Sequence, residues 1–136
     1  MSFSEWINGT FYNDLALLPM YAVIFGLAIV IIIIAGYFHE LGHLIYFRLN
    51  MKKKVKIKFI FNSIWNFYWQ VGDKDDYIGM KRKQNHDLLL CGILMGLVPI
   101  ILVATIWDLY LLLIIPYIVG SWRDIKNIIE LNPDID

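Results

Sequence analysis

The sequence predicts an all-α membrane protein of three transmembrane helices, with a small β-hairpin at the cytosolic interface between the first and second. Three observations lead there. Of the 136 residues, 59% are hydrophobic and 18% charged, where a soluble domain carries roughly a quarter charged residues. Mean hydropathy is +0.59, and a soluble domain this small hides only about two-thirds of its chain surface, so lipid must cover the rest. The charges, finally, fall in a few short stretches between long apolar runs.

The runs define one integral membrane domain over residues 1–136, with spans at about 15–47, 88–107 and 109–129. A bilayer crossing takes about 20 apolar residues. Only Trp107, Asp108 and Leu109 separate the second and third spans, which predicts a tight antiparallel helical hairpin. Every Lys and Arg lies either between the first two spans, from Arg48 to Lys83, or at the end of the third, at Arg123 and Lys126. The positive-inside rule then places the N-terminus outside and the long loop and C-terminus in the cytosol. The N-terminus lacks the basic stretch of a cleavable signal peptide. Isoleucine- and lysine-rich usage points to a prokaryotic cell membrane.

The loop has its own periodicity. In "KVKIKFIFNSIWNFYWQV", Val55, Ile57, Phe59 and Phe61 alternate, at first with lysines, and beyond Asn62-Ser63 Trp65, Phe67 and Trp69 alternate with Asn66, Tyr68 and Gln70. Period two about a turn-forming Asn-Ser predicts a β-hairpin over about 54–71. Its aromatic face suits the headgroup level of a membrane. A polar connection follows, with Asn85 or Asp87 as the expected N-cap of the second span. The single cysteine, Cys91, excludes an internal disulfide. The net charge is zero, and what carries information is where the charges fall; no nucleic-acid partner is expected.

Within the first span, "FHELGH" sets His39, Glu40 and His43 among apolar residues. Each such group costs about 2–3 kcal/mol or more at mid-bilayer, so its presence there marks function. His39 and His43 are four residues apart and project from one helix face, a spacing that lets both bind one zinc ion. Glu40 beside them suits the task of taking a proton from water at the metal. Gly42 reads either as a point of close helix approach or as an ordinary glycine of a membrane helix.

Catalytic zinc needs a third protein ligand. No Gly and His follow His43 as in the extended soluble motif, and the next Glu is Glu130. His86, Asp87, Asp124, Glu130 and Asp134 remain, with Asp73, Asp75 and Asp76 as outsiders. Depth favours Asp124. It lies roughly 24 Å of helix beyond Asp108, near the cytosolic end of the third span, level with the histidines in the cytosolic half of the first.

The pattern resembles the site-2 protease class of intramembrane zinc metalloproteases. That resemblance rests on "FHELGH" in the first span, "CGILMGLVPI" in the second and "PYIVGSWRDI" in the third, in that order over about residues 15–130. Around Asp124 the chain is closer to zincin-like membrane proteins related to that class. The resemblance implies zinc held by His39, His43 and Asp124, Glu40 as catalytic base, and hydrolysis of peptide bonds in membrane-protein or peptide substrates. Pro116 and Gly120 would loosen the third span, and the hairpin would hold an extended substrate by strand addition. The alternative is a non-proteolytic, zinc-binding assembly or regulatory protein that keeps the same motif. Three spans leave apolar surface for a homo-oligomer or a membrane partner.

Overall fold

A computed structural model describes residues 3–64 and 66–130, with side chains from residue 16 onward. The expectations attached to Trp65 and Asp134 lie outside the described residues. The protein is mostly helical with one two-stranded antiparallel sheet. In chain order the elements are α1 (Phe3–Asn50), β1 (Ile57–Ser63), β2 (Asn66–Val71), α2 (Arg82–Ala104), α3 (Ile114–Gly120) and α4 (Trp122–Glu130). Short 3-10 turns occupy Lys74–Tyr77 and Asp108–Leu113. The fold forms two units, Met1–Val30 and Ile31–Asp136.

Two helices are long and apolar enough to cross a membrane: the Ala16–Asn50 part of α1 and Arg82–Ala104. In the first unit, the apolar side chains of α1 from Leu17 to Val30 are largely exposed, Phe25 at 69%. The second unit holds the core. There Tyr46 and Phe47 near the end of α1 pack with Val55, with Val71 at the base of the hairpin, and with Leu88 of α2.

Three boundaries differ from the sequence reading. The second span starts earlier: α2 opens at Arg82, and the Lys81 backbone N–H donates to Gln84 Oε1 at 3.0 Å. Asn85 and Asp87 therefore lie inside the helix, because Gln84 already satisfies the end that they were expected to cap. The region 109–129 is not one helix. It runs as a 3-10 turn, then α3, then α4 after a break at Ser121, and the apolar piece Asp108–Gly120 is shorter than a full span. Pro116 lacks an N–H and crowds the carbonyl four residues back, and its place in the first turn of α3 accommodates both. The hairpin turn also moves. Ser63 pairs with Asn66, so Asn62-Ser63 is not the turn and the chain reverses beyond Ser63. Facing Phe59 to Trp69 and Phe61 to Phe67 keeps the aromatic face aligned, and the register shift between Phe61 and Ser63 absorbs Asn62 as an extra residue.

The Gly72 N–H reaches the Lys56 carbonyl at 3.1 Å, so the Ile57–Val71 pair is of the non-hydrogen-bonded kind. The Val71 N–H and C=O consequently point away from β1. The hairpin lies along α1: Trp69 packs edge-on to Tyr37, centroids 5.1 Å apart, over the bare Cα of Gly36.

Gly42 settles its two readings in favour of close approach. A Cβ there would stand 2.8 Å from the Cys91 carbonyl carbon and 2.9 Å from Gly92 Cα, both backbone atoms of α2. Backbone cannot swing aside as a flexible side chain can. In Gly42→Ala, α1 and α2 must separate, at a cost of about 1–3 kcal/mol. Thermal unfolding in detergent should show the loss.

Candidate metal centre

Helix α1 supplies two donors because its 3.6-residue period stacks His39 and His43 on one face. Both are buried, with side chains 9% and 6% exposed. Asp124, in the first turn of α4, completes the group from the far end of the chain. His39 Nε2 lies 2.9 Å from Asp124 Oδ2, and His43 Nε2 lies 3.1 Å from His39 Nε2 and 3.6 Å from the same carboxylate oxygen. All three ligand atoms fall within 4.8 Å of one another, close enough to hold a metal ion. The Asp124 carboxylate is 24% exposed, so the cluster opens on that side.

The hydrogen bonds behind the cluster decide what it needs. His43 Nδ1 lies 2.9 Å from the Leu88 carbonyl, which can only accept, so that nitrogen carries the proton. His39 Nδ1 lies 2.9 Å from the Tyr117 hydroxyl, which itself reaches the Ile93 carbonyl at 3.0 Å. Assigned consistently, both imidazoles are Nδ1–H tautomers with Nε2 lone pairs turned on the Asp124 oxygen. Three acceptors then meet with no proton among them. In that assignment a cation, either an added proton or a metal ion, satisfies them. Two imidazoles and a carboxylate are a donor set that suits zinc.

Glu40 stands outside the triad but within electrostatic reach of His43, His39 and Asp124. The Val71 backbone N–H, turned outward from β2, hydrogen-bonds its carboxylate. The Val71 carbonyl takes the Tyr77 hydroxyl at 2.9 Å. Burial, helped by the Glu40, Asp124 and Asp76 carboxylates, pushes the Tyr77 phenol up to about 12, so it remains a donor at neutral pH. The base of the hairpin is thus pinned between the motif and the loop.

The other candidate ligands are placed elsewhere. His86 Nδ1 pairs with its neighbour Asp87 at 3.2 Å. Glu130 pairs with Lys126 at 3.7 Å. Asp73 holds Lys58 at 3.1 Å, Asp76 caps the Lys74–Tyr77 turn, and Asp75 lies within that turn. The residues that sequence reasoning missed are Tyr117, Gly92, Gly96 and Val71. A signal for the first existed: Tyr117, Ser121 and Asp124 are spaced i, i+4, i+7, and the first two are buried. Gly92 and Gly96, four apart, form the small-xxx-small pattern of close helix contact.

The chain matches no protein-family model, no curated protein and no solved structure.

Proposed function

We propose that this chain is an intramembrane zinc metalloprotease of the site-2 protease type, cutting peptide bonds of membrane-associated substrates. The observation that carries the reading is the meeting of His39, His43 and Asp124 with Glu40 held beside them. A zinc ion in that donor set would polarise a scissile carbonyl and acidify a water molecule. Glu40 serves as the base that takes the water proton and returns it to the leaving amine. The Val71 N–H fixes the orientation of its carboxylate for that transfer. Leu88 and Tyr117 keep the two imidazoles aimed. Water and substrate enter on the open Asp124 side.

A helical substrate hides its peptide bonds, so it must be unwound before it is cut. Trp69 and Phe67 share the outward edge of β2 with Val71, by the alternation of the ladder. An extended segment pairing along that edge would be led towards Glu40.

The membrane setting is part of the proposal. Two apolar helices, largely exposed apolar side chains along α1 and the one-sided basic residues support a multi-pass protein with its loop and C-terminus in the cytosol. The 3-10 turn, α3 and α4 form the third, segmented crossing. From Val71 beside Glu40 to Trp69 beside Tyr37, the hairpin runs back along α1, and its exposed Phe61 and Phe67 suit the membrane interface.

The test is metal removal. Purified protein in vesicles should cleave a membrane-tethered reporter, lose that activity on treatment with a zinc chelator, and recover it when zinc is added. Cleavage that continues at full rate after metal has been stripped would rule the proposal out.

A further inference from the structure

The two imidazoles reach α2 by different routes. His43 donates Nδ1–H directly to the Leu88 carbonyl. His39 lies one turn back along α1, and its Nδ1 meets the Tyr117 hydroxyl of α3 instead. That hydroxyl reaches the α2 carbonyls of Ile93 at 3.0 Å and Gly92 at 3.5 Å. A carbonyl oxygen has no proton to give, so the single phenolic proton is committed to α2. The phenol oxygen keeps a lone pair, and His39 must supply the proton from Nδ1. The order of protons is therefore set at the α2 end of the relay, and it leaves His39 Nε2 free to ligate.

The helix is shaped for this. Tyr117 is 5% exposed, and its ring enters α2 where Gly96 leaves room, since a Cβ there would overlap the phenol oxygen. One turn earlier, a Cβ on Gly92 would overlap the His43 ring. The two glycines make a notch that seats both relays.

We propose that Tyr117 is the positioning residue of the metal centre, giving His39 the tautomer and ring orientation that His43 takes directly from Leu88. The proposal rests on the reading of His39, His43 and Asp124 as metal ligands. Tyr117 touches neither ion nor substrate, because its hydroxyl is already occupied by His39, the α2 carbonyls and the Ser121 side chain. A mere core filler would need the ring alone, so the hydroxyl is what the test removes.

Tyr117→Phe keeps the ring and deletes the hydroxyl. In full-length protein in detergent, its zinc affinity by chelator competition should fall about 10- to 100-fold. The absorption bands of the cobalt(II) form should shift, while metal-free protein melts close to wild type. Gly96→Ala places a methyl where the hydroxyl lies and should lower affinity likewise, although alanine favours the helix. It carries the test should Tyr117→Phe not fold. Wild-type affinity with an unchanged cobalt spectrum in these variants overturns the proposal, as does a loss of metal-free stability with affinity intact. A wild type that binds neither zinc nor cobalt overturns the metal reading itself; a wild type that binds both, with variants that match it, overturns this proposal alone.

Discussion

On the proposed protease reading, Glu40→Gln protein should keep the wild-type zinc content while reporter cleavage falls by about 100- to 10,000-fold, the share that a positioned general base supplies. Glutamine matches glutamate in size, and its amide oxygen can still accept the Val71 N–H, so the hairpin keeps its seat. It cannot take a proton from water. Because the donor atoms belong to His39, His43 and Asp124, ligation has no need of the Glu40 charge. The variant therefore separates hydrolysis from binding. Undiminished cleavage would sink the protease mechanism, and lost zinc would make Glu40 a ligand instead. A protein that only assembles others around a zinc site would keep its function in this variant.

Asp124→Ala should lose zinc by more than about 100-fold, beyond the range that outer hydrogen-bond partners of a metal site command. The carboxylate is the one anionic member of the donor set, and it stands 2.9 Å and 3.6 Å from the two Nε2 atoms. Two neutral imidazoles 3.1 Å apart are left with neither the charge nor the third coordination point. The fold should survive, since Asp124 sits at a partly open edge rather than among the residues packed around Phe47 and Leu88. Metal analysis of the purified protein, with helical content measured alongside, checks both statements. Full occupancy would remove Asp124 from the ligand set.

How much of this was legible depends on the range over which each relation acts. The H-E-x-x-H motif is local: four residues on a helix are one turn, whatever surrounds them. The hairpin was legible for the same reason, since period two assigns its faces, yet its turn was misplaced. Asn62-Ser63 carries good turn chemistry, but matching Phe61 to Phe67 outweighed it, and the chain took up the difference as an extra residue. The third helical segment was drawn as continuous from its hydropathy, which is blind to the local backbone geometry that divides it at Leu113 and Ser121. Depth along parallel helices favoured Asp124 as partner of the histidines. It said nothing of which atom would back each imidazole.

The sequence by itself therefore determined the two imidazoles, the glutamate between them, the apolar helix that carries them and the basic stretches beside it. Each follows from the periodicity and composition of one continuous segment. Only the tertiary structure decided that Tyr117 and Leu88 orient the rings, that Gly92 and Gly96 make room for them, and that the outer edge of β2 holds Glu40 through Val71. These relations join residues tens of positions apart, through backbone atoms that every residue possesses and whose direction is fixed only when the helices and the hairpin pack.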